Sequence, residues 1–203
     1  MLRKTRTSQN YEDNMTSVSV KERILDNPVI AAVKDDESLE AALKSECGVV
    51  FLLYGSLLNI DDIVEKIHAA GKAAVIHIDL LEGLTNREIA VDVLLKLAHP
   101  DGVISTRPAL IRHAKHADLF TVQRAFIIDS MSEETLASQL DIGKPDFIEV
   151  LPGIMPGIIS EIIAKTHTPV IAGGLIRDKS EVIAALKAGA TAVSTSSRRI
   201  WEE

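Results

Sequence analysis

Two segments near the C-terminus have the residue types and spacing of an anion site. Pro169-Val-Ile-Ala-Gly-Gly-Leu175 and Gly189-Ala-Thr-Ala-Val-Ser-Thr-Ser196 are short apolar runs that each end in small residues. Such residues let a backbone approach a ligand closely, and their amide N–H groups can point at an anion. Two endings of this kind on consecutive strands match the phosphate site formed by the last two loops of a (β/α)8 barrel. They predict phosphate, or another anion, on Gly173, Gly174, Thr195 and Ser196. Ser196 and Ser197 also open a terminal stub whose first amides could donate. Arg177, just past the glycine pair, could add a charged bond or simply be solvated.

In a parallel barrel the functional groups sit at the C-terminal ends of strands. Read in order, those ends offer His77, Asp79, Arg107, Arg124 and Glu149. His77 and Asp79 are two apart and so share a strand face, with Ile76, Ile78 and Leu80 facing the helices. Glu149 between Ile148 and Val150 reads alike. Arg124, between Val122 and Phe126, reads alike if a bulge or strand end re-aims it. These side chains carry both signs, and buried charges need partners. They form either a polar ligand site or a salt-bridge network filling the barrel mouth.

Catalysis is less well provided for. An aldolase of this architecture needs a Schiff-base lysine on a strand, and every lysine here falls on a helix, a turn or the tail. Metal ligation needs clustered His and carboxylate groups. His77 and Asp79 could serve, but His68, His99, His113, His116 and His167 fall in helices or at their ends. No metal is therefore expected, and no cofactor. Asp79 and Glu149 could be an acid/base pair, without an obvious electrophile.

The elements that position these groups alternate in texture. Strand-like runs fall at 29–33, 49–53, 73–78, 102–105, 120–128, 147–151, 170–172 and 192–195. Helical spacing fills 38–44, 59–70, 86–98, 109–116, 133–140, 157–166 and 180–188, with a stub at 197–201. Alternation implies parallel strands with right-handed crossovers. Eight units in 203 residues favour a short single-domain α/β barrel of the TIM type. Residues 1–15 are polar, lack the apolar region of a signal peptide and read as a flexible tail. The barrel domain is expected over 16–203, with an extra helix at 16–25 capping its N-terminal mouth. Gly71, Gly143 and Gly189 read as helix stops, and Ser132 as a helix cap with acids after it.

Composition narrows the function classes. Aromatic residues are 3% of the chain, so the core must be aliphatic and base-stacking platforms are scarce. A formal charge of −7 leaves room only for a local nucleic-acid patch. The one cysteine, Cys47, forbids an intrachain disulfide, fits the cytoplasm and reads as a small buried hydrophobe. No apolar run approaches the roughly 18 residues of a membrane span.

Several strings resemble one family. Ile104-Ser-Thr-Arg107, Gln123-Arg124 with Ile128-Asp-Ser130, Asp146-Phe-Ile-Glu-Val-Leu-Pro-Gly-Ile154, Val170-Ile-Ala-Gly-Gly-Leu-Ile176 and Val193-Ser-Thr-Ser196 with Trp201 are similar to the bacterial glycerol uptake operon antiterminators. His77-Ile-Asp-Leu-Leu-Glu-Gly-Leu84 also fits, and the likeness spans about 28–202. It implies a cytoplasmic regulator, not an enzyme, that senses glycerol 3-phosphate and binds leader mRNA of glycerol genes. By that analogy the phosphate sits on Gly173, Gly174, Thr195 and Ser196, and Asp79, Arg107, Arg124 and Glu149 read the glycerol end. RNA could meet Arg112 and Lys115, flanked by His113 and His116, or Arg198 and Arg199; all could equally be solvated charges. A homo-oligomer would double a modest patch. Two alternatives stay open: a small barrel enzyme acting on a phosphorylated sugar or polyol, and a metabolite-binding protein that controls another protein.

Overall fold

The β-branched runs become strands because they can bury both faces, one inside the barrel and one under the helices. The computed structural model describes residues 18–202; the expected tail at 1–15 lies outside them. The strands are β1 (Val29–Val33), β2 (Val49–Leu52), β3 (Ala73–His77), β4 (Gly102–Ser105), β5 (Phe120–Phe126), β6 (Phe147–Leu151), β7 (Val170–Gly173) and β8 (Ala192–Thr195). They pair in chain order, all parallel, and β8 closes on β1.

Helix α1 (Val20–Asp26) precedes the barrel. The others follow the strands: α2 (Asp36–Lys44), α3 (Ile60–Ala69), α4 (Ile89–Leu97), α5 (Pro108–His116), α6 (Ser130–Gly143), α7 (Pro156–Thr166), α8 (Lys179–Lys187) and α9 (Arg198–Trp201). The barrel core is aliphatic with two phenylalanines. Ile30, Phe51, Val75, Ile104, Val122, Phe147 and Ile171 fill it, and Val20 and Ile24 of α1 join the same cluster. Arg23 of α1 packs at Gly48, just before β2, so α1 stoppers the N-terminal mouth as expected. That plug leaves the C-terminal mouth as the polar end.

Some local expectations shift. Helix α6 starts at Ser130, not near Ser132. Asp129 is its cap, accepting from the Ser132 amide at 2.9 Å, and Ser132 bonds back to the cap backbone. Gly143 is the last residue of α6, and Lys144 makes the left-handed exit at φ 46°. Gly71 and Gly189 do take positive φ where helices stop. Cys47 is buried. Among the described residues no helix is long and apolar enough to cross a membrane.

Candidate functional site

The strand register builds the polar mouth. Arg124 of β5 lies directly beside Glu149 of β6. Phe120 and Val122, at two-residue steps before Arg124, belong to the interior cluster. Arg124 therefore faces inward on ordinary strand alternation, and no bulge is needed. Its Nε donates to Glu149 Oε2 at 2.6 Å, and Ser194 Oγ of β8 donates to Glu149 Oε1 at 2.5 Å. Glu149 is 1% exposed. An isolated carboxylate there would be costly, so its partners make its burial possible.

Gly173 explains part of the small-residue signal. A Cβ at that position would lie 2.6 Å from Glu149 Oε1 and 2.9 Å from Ser194 Oγ. Its missing side chain is the room that Glu149 occupies. Gly153 serves the neighbouring loop. Its amide donates to Gly173 O at 2.6 Å and Gly174 O at 3.1 Å. A Cβ on it would come 2.8 Å from the Gly173 nitrogen. The Leu-Pro-Gly-Ile string is thus the clasp that holds the β6 loop against the β7 loop.

Above the Arg124–Glu149 pair lies a cleft of about 390 Å³, lined among others by Ala32, Leu53, Gly174, Leu175, Arg177, Ser194, Thr195, Ser196 and Ser197. The Thr195 hydroxyl is already used. It donates to Ile176 O at 2.7 Å and accepts from the Ser197 amide at 3.0 Å, tying the two loops together. Leu175 turns into the cleft loop at φ 64°, a conformation that costs a bulky residue about 1–2 kcal/mol, and its side chain is half exposed. A larger hollow of about 730 Å³ at the N-terminal face, beside Arg23, Glu46 and Gly48, holds no convergent buried charges.

On the β3–β4 side the arrangement differs from strand alternation. Strand β3 ends at His77, and Ile78–Leu80 form a 3-10 turn. Asp79 therefore does not continue the His77 strand face. It is drawn to the β4 loop: Ser105 Oγ donates to Oδ1 at 2.8 Å, and the Thr106 amide and hydroxyl donate to Oδ2 at 2.7 and 2.8 Å. Arg107 Nε lies 3.7 Å from Asp79 Oδ1 and is half exposed. His77 is buried, and its Nδ1 has no hydrogen-bond partner among the described residues. Burial and the Arg124 charge push its imidazole down to about 4, against an opposing pull from Asp79, so it is neutral near pH 7.

Arg124, Glu149, Gly174, Thr195 and Ser196 thus share one cleft. Gly173 lies behind Glu149, and His77, Asp79 and Arg107 form the adjoining β3–β4 side. Lys34 is a residue that sequence reasoning passed over. It follows β1 directly, two residues beyond the cleft-lining Ala32, and is exposed. Neither Lys34 nor Arg177 forms a side-chain ion pair with another described residue. The signal was available: Lys34 is the first polar residue after the first strand.

No described strand contains a lysine. Lys72, just before β3, lies at the opposite mouth and donates to Ser45 O at 2.6 Å and Cys47 O at 2.7 Å. Among the described residues no three His, Cys, Asp or Glu side chains gather as metal ligands would.

The family model described as glycerol-3-phosphate responsive antiterminator matches residues 29–201, the whole barrel from β1 through α9. The chain belongs to that family.

Among solved structures, the antiterminator regulatory protein of the glycerol uptake operon from Listeria monocytogenes is 35% identical. It covers 86% of this chain and 95% of its own, with a TM-score of 0.83. An antiterminator-related protein from Thermotoga maritima is 32% identical over 85% of this chain and 96% of its own, with a TM-score of 0.76. The uncharacterised Escherichia coli protein YgcP is 43% identical over 175 residues, 86% of this chain and 92% of its own. Deoxyribose phosphate aldolase from Aeropyrum pernix, 15% identical with a TM-score of 0.67, shares the fold alone.

In this chain each cation considered for RNA already has a neighbour. Arg112 lies 3.4 Å from Glu88, and Lys115 lies 2.9 Å from Asp146. Arg198 meets Glu37 at 2.7 Å. Arg199 Nη2 donates to Arg177 O at 3.3 Å, which joins the C-terminal pair to the cleft loop. Arg112 and Lys115 sit on α5, away from the cleft loops.

Proposed function

We propose that this chain is a cytoplasmic, glycerol-3-phosphate-sensing antiterminator that binds leader mRNA of glycerol uptake or metabolism genes, and is a regulator instead of an enzyme. The carrying observation is the cleft at the ends of β7 and β8. It combines open backbone at Gly174 and Ser196 with a buried arginine beneath, in a member of this family. The phosphate lies on those loops. Arg124 has its charge balanced by Glu149, so Lys34 and Arg177 supply the counter-charge for the phosphate. His77, Asp79 and Arg107 face the glycerol end. Glu149 and Asp79 hold fixed donors, which suits a rigid receptor better than an exchange of protons.

For the RNA surface, α9 is the better placed of the two patches. It follows Ser196 and Ser197 directly, and its Arg199 is bonded to the cleft loop. A ligand that reorders this loop moves Arg198 and Arg199 with it. Effector coupling requires that the ligand favour the RNA-competent state. Gel shifts with a terminator-containing leader RNA test this. Glycerol 3-phosphate should change the apparent RNA affinity, and Arg198→Gln with Arg199→Gln should weaken the complex. RNA binding indifferent to the ligand would remove the sensing role.

A further inference from the structure

The rim of the C-terminal mouth is apolar over one arc. Phe126 at the end of β5, Ile128 after it, Met131 in the first turn of α6, Ile154 after β6 and Leu175 after β7 are all exposed, Ile128 by 86%. The loops that carry them are neighbours. The Ile127 amide donates to Leu151 O at 2.8 Å, and the Gly153 amide donates to Gly173 O at 2.6 Å. Phe126 lies two residues beyond the inward-facing Arg124 and pairs with Leu151, so it stands over the mouth. Together the five side chains expose roughly 500 Å². That is near the upper end for the largest patch on a soluble monomer, and patches of this kind mark interfaces.

The charges flanking the arc favour a second copy of the chain as its partner. On the β5 side Asp129 and Glu134 are exposed acids, and on the β7 side Arg177 and Lys179 are exposed cations. Ile154 lies between the two flanks. A two-fold axis near Ile154 lays one apolar arc on another and brings each acidic flank to the other copy's basic flank. An isologous contact needs this self-complementarity. With its flanks the arc approaches the roughly 800 Å² per partner of a standard interface. RNA suits the face less well. The arc offers aliphatic side chains, one aromatic ring and an acidic edge, whereas nucleic acid seeks cations and stacking rings.

We propose that this chain forms a two-fold dimer through the apolar arc, with the Asp129–Glu134 flank of one copy against the Arg177–Lys179 flank of the other. Leu175 then belongs to both the interface and the cleft wall. The dimer carries two copies of the helix that bears Arg198 and Arg199.

Sedimentation velocity of the full chain from about 1 to 100 μM tests this, a span that reads a micromolar Kd. The wild type should dimerise within that range. Ile128→Asp should weaken the dimer at least about tenfold, because each residue enters a two-fold interface twice. Its circular dichroism spectrum should stay unchanged, since Ile128 is exposed. Glu134→Lys should weaken the dimer at least about fivefold, and adding Lys179→Glu should restore it. A wild type that stays monomeric, an Ile128→Asp variant that dimerises like the wild type, or a double variant no tighter than Glu134→Lys alone would each overturn the proposal. A chain that stays monomeric but loses leader RNA on Ile128→Asp would give the arc to RNA instead.

Discussion

Replacing Glu149 by alanine should destabilise the barrel strongly, and phosphate should repair part of the damage. The side chains of Arg124 and Glu149 are 9% and 1% exposed and meet at 2.6 Å. Removing one partner of such a pair leaves an uncompensated buried charge and costs about 3–5 kcal/mol. Ser194 Oγ loses its acceptor in the same change. For a domain of this size 1 kcal/mol moves Tm by about 2–4 °C, so the expected loss is roughly 6–20 °C. Inorganic phosphate in the cleft would sit near the orphaned guanidinium and restore charge balance. The variant should therefore gain more Tm from added phosphate than the wild type does. Thermal melts followed by circular dichroism, with and without phosphate, measure both quantities. Replacing the pair together, Arg124→Met with Glu149→Leu, should recover much of the stability but not the response to phosphate. A Glu149→Ala variant melting within about 2 °C of wild type, or gaining no more from phosphate, would refute this view of the pair.

Three further outcomes are expected. Gly173→Ala places a methyl 2.6 Å from Glu149 Oε1; it should cost roughly 1–3 kcal/mol in urea unfolding and weaken ligand binding. His77 takes up a proton near pH 6.5 when unfolded but only near pH 4 when folded, so the unfolded state binds more protons between those values. Stability should fall as pH drops from 6.5 to 4, by up to roughly 3 kcal/mol, and His77→Phe should flatten that window in pH-dependent unfolding. Lys34→Met should leave Tm unchanged, because Lys34 is exposed, while weakening glycerol 3-phosphate roughly tenfold by calorimetry and reducing the salt dependence of binding.

The barrel was legible because alternation of short apolar runs with helical spacing is a strong, repeated signal. Eight runs with one connection type leave few other topologies. Helix ends were less legible where a cap acted from a distance: Asp129 starts α6 ahead of Ser132, and only the reciprocal bond shows which residue is the cap. At the site, strand parity brought Glu149 to the interior, whereas Arg124 was placed there only by way of a bulge that β5 does not need, and neither reading could show that Gly173 yields its space to Glu149. Parity failed at Asp79, because the Ser105 and Thr106 donors end the strand pattern one residue earlier. Lys34 escaped because it stands alone, with no small-residue run or polar pair beside it. The Leu-Pro-Gly string was visible as a motif, and its physical meaning appeared only with the backbone contact of Gly153 to Gly173.

The central claim is that a phosphorylated polyol sits on the β7 and β8 loops. Titrating glycerol 3-phosphate into isotopically labelled protein and following backbone amide resonances locates it directly. Saturable shifts should centre on Gly174, Leu175, Ser196 and Ser197 and extend to Arg198 and Arg199. Shifts centred on α5, on the N-terminal mouth around Arg23, or nowhere at all would contradict it.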